Sequence, residues 1–344
     1  MTLRLRSIFL FFSLVLLLSH SRSVNCEEQP AVSLYAVGDV MLGRYIARVM
    51  AEQGNDYPFK QIAPVLSRAD IVFGNLESVI SPDDVAPAYP EKPYSFHASA
   101  AAAQSLKSAN FQVLNLANNH AMDYGLAPLA ETKRLLAEKG IATFGAGKDL
   151  DEARQAVIIT KAGMRFGFLG YGVAHARSVY ATKKRSGIAP MRMDDIRRDV
   201  ESVRSKVDVL VVSLHWGREY DTSPSQKQRV EAHQIIDWGA DLIVGHHPHV
   251  MQGIELYKGG IIAYSLGNFI FDQKDNETKR SFILACSFRG KALSSAEIIP
   301  LNRFRSYFPR PAEGKSKKSI LKDLRNISLP LNSDPGGLVK VGLY

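Results

Sequence analysis

Apolar positions along this chain switch repeatedly between two spacings. Short continuous or alternating apolar runs predict strands at Ala31–Val37, Ile71–Phe73, Phe111–Leu116, Val207–Leu214 and Leu242–Val244. Three-to-four-residue spacing predicts helices at Gly43–Gln53, at roughly Ala127–Glu138 and near Ser225–Trp238. Two further pairs of runs have no helix between them. Ala156–Thr160 and Arg165–Leu169 flank Lys161-Ala162-Gly163-Met164, while Ile254–Tyr257 and Ile261–Tyr264 flank Lys258-Gly259-Gly260. Both pairs read as hairpins. Crossovers combined with hairpins suggest an α/β fold in which two mixed sheets pack together with helices outside.

The pattern changes at both ends. Arg4 and Arg6 precede an apolar run, Ile8 to Leu18, that is followed by polar Ser19-His20-Ser21-Arg22-Ser23. The run is too short for the roughly 20 residues of a membrane-spanning helix, so residues 1–23 read as a secretory signal peptide. Cys26 offers a lipidated N-terminus as the alternative to simple cleavage. Residues 273–301 read as a β extension. From Asn302 the pattern fails among Arg303, Arg305, Arg310, Lys315, Lys317 and Lys318, which suggests a solvated basic tail with one short helix near Ser319–Arg325.

Composition then narrows the chemistry. The 344 residues are 46% hydrophobic and 22% charged, as in a folded protein. Cys26 and Cys286 are the only cysteines, which excludes a disulfide scaffold, an iron–sulfur protein and a cysteine-rich zinc module. The formal charge of +9 invites a nucleic-acid reading. Loss of residues 1–23 would remove three arginines, however, and the remaining basic residues are spread out or gathered in the tail. No helix-turn-helix or aromatic–basic platform accompanies them, so no nucleic-acid partner is expected.

The chemical signal lies at the ends of the predicted strands. Five runs end in metal-capable residues: Asp39, Asn75 with Glu77, Asn119 with His120, His215, and His247 with His249. Ligands gather beyond the carboxyl ends of strands in open α/β sheets. Imidazole, carboxylate and amide donors suit manganese, zinc or iron, and the absence of thiolates argues against a closed structural site. Two ions about 3.5–4 Å apart would stabilise attacking and leaving oxygens at phosphorus.

Six blocks carry a resemblance: Gly38-Asp39-Val40-Met41-Leu42-Gly43-Arg44, Gly74-Asn75-Leu76-Glu77, Asn118-Asn119-His120-Ala121-Met122-Asp123-Tyr124-Gly125, His215-Trp216-Gly217, Gly245-His246-His247-Pro248-His249-Val250, and Tyr264-Ser265-Leu266-Gly267-Asn268-Phe269-Ile270-Phe271. In this order they resemble the CapA family of capsule biosynthesis, within the calcineurin-like metallophosphoesterase superfamily. The resemblance covers residues 31–272 and implies a four-layer α/β/β/α sandwich. It also implies one or two divalent metal ions, held by Asp39, Glu77, Asn119, His215, His247 and His249, with His120 as an acid near the leaving group. Met41 stands where the superfamily has a histidine, leaving Asp123 and His246 as candidates to fill the gap. Asp123 reads equally as a catalytic residue or as a helix cap, and Arg44 as a contact to anionic substrate or a solvated side chain. Asn268 and Asp272 read as cavity-rim or turn residues, with Asn268 the substrate-binding candidate. The implied function is exported capsule or poly-γ-glutamate biosynthesis with a hydrolase-type site acting on a phosphoester or an anionic polymer. The alternative is a non-catalytic polymer-binding or export component. Capsule-assembly membrane proteins are the expected partners.

Overall fold

The computed structural model describes residues 30–82, 86–89, 91–174, 176–303, 306–328 and 341–342. The expected signal peptide and Cys26 lie outside them. The first half comprises β1 (Val32–Val40), α1 (Arg44–Gln53), β2 (Ile71–Leu76), α2 (Ala101–Ser108), β3 (Phe111–Asn115), α3 (Leu126–Glu138) and β4 (Ala142–Phe144). The second comprises β5 (Val157–Lys161), β6 (Met164–Gly172), α4 (Met193–Arg204), β7 (Val209–His215), α5 (Gln226–Asp237), β8 (Leu242–His246), β9 (Ile254–Tyr257) and β10 (Gly260–Ala263). The chain then returns to the first sheet through β11 (Asn268–Ile270), β12 (Arg280–Arg289) and β13 (Ala292–Asn302), and ends in α6 (Gly314–Ile327).

Parallel strands are flanked by antiparallel ones on both sides of the second sheet and on one side of the first. The first runs β13–β12–β1–β2–β3–β4, with β11 parallel to the end of β1. The second runs β9–β10–β8–β7–β6–β5. The predicted hairpins are the pairs β5–β6 and β9–β10.

Strand periodicity builds three apolar layers. Along β7, Val209 and Val211 face the other sheet, while Leu210 and Val212 face the helices. Between the sheets, Phe73 packs on Phe168 with ring centroids 5.8 Å apart. Outside the first sheet, Ile46, Leu106 and Leu136 cover Val72 and Leu114. Outside the second, Ile196, Val200 and Ile235 cover Leu210, Val212 and Ile243. Fully burying one such side chain contributes roughly 1.5–3 kcal/mol, so these layers dominate the fold's stability. Helix, sheet, sheet and helix thus form the expected four-layer sandwich.

The local signals are visible where they matter for the site. Ser225 and Gln228 form a reciprocal capping box that starts α5 ten residues after His215. Gly38 and Gly245 precede Asp39 and His246, and neither tolerates a side chain. An added Cβ would lie 1.7 Å from the Gly267 carbonyl oxygen in one case and 1.8 Å from that of Tyr264 in the other. Glycine is what allows neighbouring backbones to converge at the strand ends.

Four helices fall where the apolar pattern assigns none: α2, α4 and the short Ala63–Leu66 and Leu150–Arg154. The β extension expected at 273–301 is the hairpin β12–β13, and it is integral to the first sheet, because β12 pairs along β1 from Val32 to Ala36. The expectation of a solvated C-terminal tail requires correction. Residues after Asn302 are not simply a solvated tail. Arg303 is fully buried, and α6 places Ile320, Leu321 and Leu324 in the core between the sheets. Their close spacing marks an amphipathic face that the surrounding lysines obscure in the sequence.

Candidate metal centre

Asp39 lies on β1 opposite Asn75 on β2 and Asn268 on β11. The β7–β8 pairing sets His215 beside His246. These registers bring five strand ends from both sheets to one buried point. Asp39, Asn75, Glu77 and His215 have no exposure, and His247 and His249 have little.

Two overlapping groups of donors converge there: Asp39, Glu77 and His215, and Glu77, His247 and His249. Glu77 belongs to both. Neither of its carboxylate oxygens has a hydrogen-bond partner. His215 Nε2 is 3.8 Å away and His120 Nε2 3.9 Å. Burial, followed by the carboxylates of Asp39 and Glu219, pushes Glu77 well above the usual carboxylate range. A buried carboxylate without a donor is costly, and a cation between it and the imidazoles removes that cost. The donor set therefore fits a divalent metal ion.

Asp39 differs from Glu77. Burial would raise its carboxyl, but His246 and His249 outweigh burial and hold it well below the usual range. Its Oδ1 accepts from Asn75 Nδ2 at 2.9 Å, its Oδ2 from the His247 backbone N–H at 3.3 Å, and His249 Nδ1 is 3.4 Å from Oδ2. Asn75 is itself fixed, because its Oδ1 accepts from Asn115 and Asn118, each at 3.2 Å. Asn119 Oδ1 lies 2.8 Å from His215 Nε2. Burial, then the neighbouring His247, lowers His215 well below the usual histidine range, so it is neutral and fit to ligate. His247 and His249 hold positive φ angles of 94° and 61°, which non-glycine residues rarely adopt.

The structure distinguishes the remaining candidates. Asp123 is not a helix cap, since the N-cap of α3 is Gly125 and no side chain caps the helix. Its carboxylate instead meets His120 Nδ1 at 2.7 Å, the Phe96 N–H at 2.8 Å and the Lys92 ammonium. It stands with His120 and Lys92 rather than at the gap left by Met41. His120 stacks on Phe96 with centroids 3.9 Å apart. Burial lowers its pKa to about 4 despite the pull of Asp123. The ring is neutral at pH 7, so the acid role implied by resemblance requires it to gain a proton first.

His246 approaches Asp39 at 3.4 Å while its ring packs against Phe73, so it supports Asp39 from the core side. Met41 is fully buried among apolar residues. Asn268, the substrate-binding candidate, is buried instead of lying at the rim. Its Oδ1 is 3.0 Å from His249 Nδ1, and its Nδ2 donates to Gln273 at 2.7 Å, so it orients a histidine. Arg44 pairs with Asp272 and lies over the Phe96 ring at 4.7 Å, while Asp272 also accepts the Tyr45 N–H. Asp272 thus tethers Arg44 and the start of α1. Lys92 had no sequence signal, since it comes from an irregular Pro-rich stretch. It also donates to the Asn119 carbonyl at 2.9 Å, and with Asp123 it fastens that stretch over the site.

The four-layer fold is shared with solved structures of low sequence identity, a phosphatase among them. A phosphatase from Mycoplasma pneumoniae shares the fold, with a TM-score of 0.52 at 12% identity over 80% of this chain and 94% of that one. A hypothetical protein from Thermus thermophilus gives 0.50 at 14% identity over 81% and 100%. The family described as bacterial capsule synthesis protein PGA_cap matches residues 33–273, and the chain belongs to that family. It is 35% identical over 302 residues to the capsule biosynthesis protein CapA of Bacillus anthracis, covering 86% of this chain and 73% of the relative. It is 34% identical over 310 residues to the PGA biosynthesis protein CapA of Bacillus subtilis strain 168, covering 86% and 80%.

Proposed function

We propose that the protein is an exported component of capsule or poly-γ-glutamate biosynthesis with a metal-dependent, hydrolase-type site. The observation that carries this reading is Glu77, a buried carboxylate with no hydrogen-bond donor, ringed by histidines from both sheets. Asp39, Glu77, Asn119, His215, His247 and His249 would hold manganese, zinc or iron, and the substrate is a phosphoester or an anionic polymer. A divalent ion supplies Lewis-acid stabilisation of charge developing at phosphorus or at an amide carbonyl. The residues around it do the rest. Asn75 and Asn268 fix Asp39 and His249, Asp123 and Lys92 orient His120, and the His120 Nε2 faces the cluster to accept or return a proton. The apolar layers behind Asp39 and His215 exclude water from their inner faces.

Capsule-assembly membrane proteins fit as partners on this reading. Among the described residues no helix is long and apolar enough to cross a membrane. One observation favours the alternative of a non-catalytic polymer-holding component: Met41 removes a ligand that a two-ion site would use. A metal count per chain together with turnover of a generic phosphodiester and of poly-γ-glutamate separates the two. His247→Ala combined with His249→Ala is expected to abolish metal binding with the fold intact, and full metal retention would refute the site. His120→Ala is expected to keep the metal and lose about 10²–10⁴-fold in turnover.

A further inference from the structure

Arg303 directly follows β13 and is fully buried. Burial lowers its guanidinium from 12.5 to about 9, against the pull of the Asp272 and Asp39 carboxylates, so it is a cation at pH 7. Among the described residues no carboxylate forms an ion pair with it, and its Nε has no hydrogen-bond partner. A buried charge without a paired carboxylate is costly. What it grips is backbone: Nη1 donates to the Phe271 carbonyl and Nη2 to the Thr278 carbonyl. These two carbonyls bracket the loop from β11 to β12, and the Arg303 N–H adds a bond to the Lys279 carbonyl at 2.9 Å.

Both gripped residues bear on His249. The Phe271 ring lies 4.7 Å from the His249 ring, centroid to centroid, and 5.5 Å from that of Phe96, on which His120 stacks. The Thr278 carbonyl also accepts from Asn268 Nδ2 at 3.5 Å, and Asn268 Oδ1 is the partner of His249 Nδ1. Within the loop, the Gln273 side chain accepts from the same Asn268 Nδ2. A planar guanidinium fork spans two acceptors in a fixed geometry, which the single ammonium of a lysine does not.

We infer that Arg303 is a positioning residue for the ligand His249: its fork fixes both ends of the 271–278 loop, and the loop fixes the imidazole through Phe271 and Asn268. The inference rests on the metal-dependent site proposed above and assigns part of its affinity to a residue outside the cluster itself.

Metal affinity, measured by competition with a chelator, and the visible absorption of the cobalt(II)-loaded protein test it. Loss of a residue that orients a ligand weakens metal binding by about 10–100-fold. Arg303→Lys keeps the charge but loses the fork, so it is expected to fall in that range and to shift the cobalt bands. Phe166→Leu, which trims the contact with Phe288 at the far end of β6 from the site, lowers stability without touching the loop. It is expected to keep wild-type affinity and spectrum. Adding Arg303→Lys to His249→Ala should cost no further affinity, because the ring it orients is already gone. Wild-type affinity in Arg303→Lys, an equal loss in Phe166→Leu, or a full further loss in the double variant overturns the inference. Should Arg303→Lys not fold, Gln273→Ala loosens the same loop without disturbing a buried charge. Weaker metal binding with shifted cobalt bands in that variant supports the inference, and unchanged values overturn it. A wild-type protein that takes up no metal instead refutes the underlying site, and that count is read before any variant is compared.

Discussion

Asn119 Oδ1 lies 2.8 Å from Nε2 of His215, which joins the loop after β3 in the first sheet to the last residue of β7 in the second. The whole cluster straddles this seam: Asp39, Asn75, Glu77 and Asn119 come from one sheet, His215, His247 and His249 from the other. An ion bound there would cross-link the two halves. At an ion concentration 100 times Kd the folded state gains about 2.7 kcal/mol, because the unfolded chain cannot assemble the site. Chelation is therefore expected to lower the melting temperature by about 5 °C, with recovery on adding manganese or zinc. Differential scanning fluorimetry with and without EDTA measures this, and an unchanged melting temperature counts against a site at the seam.

Glu77 links stability and function with opposite signs. Its two oxygens are buried and lack hydrogen-bond donors, so the carboxylate is a burden until a cation arrives. Glu77→Gln keeps the shape and removes the charge. In chelator the variant is expected to be more stable than wild type by about 1–3 kcal/mol. In excess metal the order should reverse, since the variant no longer responds to the ion. Urea unfolding under both conditions decides it, and a variant less stable than wild type in chelator would contradict the electrostatic reading.

Strain at the two ligand histidines gives a third test. Positive φ at a residue with a Cβ costs roughly 1–2 kcal/mol, and glycine avoids that cost. His247, at 94°, is further from the small allowed region than His249, at 61°. In chelator, His247→Gly is expected to be more stable than His247→Ala by about 1 kcal/mol, although both lose the ligand. Equal urea midpoints for the pair would mean that the backbone relaxes once the ring is gone, so that no strain is kept for ligation.

The parts of this molecule legible in the sequence are those governed by short-range pattern. Two-residue alternation located the strand ends, and Asp39, Glu77, Asn119, His215, His247 and His249 converge because ligands collect where parallel strands finish. What escaped depends on tertiary context. Asn268 reads as a rim residue until its register with Asp39 on β1 buries it beside His249. Asp123 reads equally as a cap or a catalytic residue until Lys92, from an irregular segment without periodicity, and His120 are seen to meet its carboxylate. The hairpin β12–β13 reads as an extension because an antiparallel partner from the far end of the chain leaves no mark on β1 itself. In α6, Ile320, Leu321 and Leu324 form too short a stripe to stand out among five neighbouring basic residues.

Cys286 supplies a pH-dependent prediction away from the metal centre. It lies on β12 opposite Leu34, fully within the core between the sheets, and burial pushes its thiol from the ordinary 9.0 up to about 12. In a Cys26→Ser background it is the only thiol. At pH 8 the thiolate fraction in the folded protein is then about 1 in 10,000, and a disulfide reagent should not label the native chain, whereas denaturant should expose one reactive thiol. The same shift fixes the sign of the stability effect. Above pH 9 the unfolded chain releases a proton that the folded chain keeps, so stability falls with rising pH by about 1.4 kcal/mol per unit from this group until pH 12. Cys286→Val removes that contribution while nearly preserving volume. Urea unfolding at pH 7, 9 and 10 should show the Cys26→Ser protein losing more stability above pH 9 than the variant that also carries Cys286→Val. Parallel pH profiles, or rapid labelling of the native thiol at pH 8, would show that solvent reaches Cys286 between the sheets.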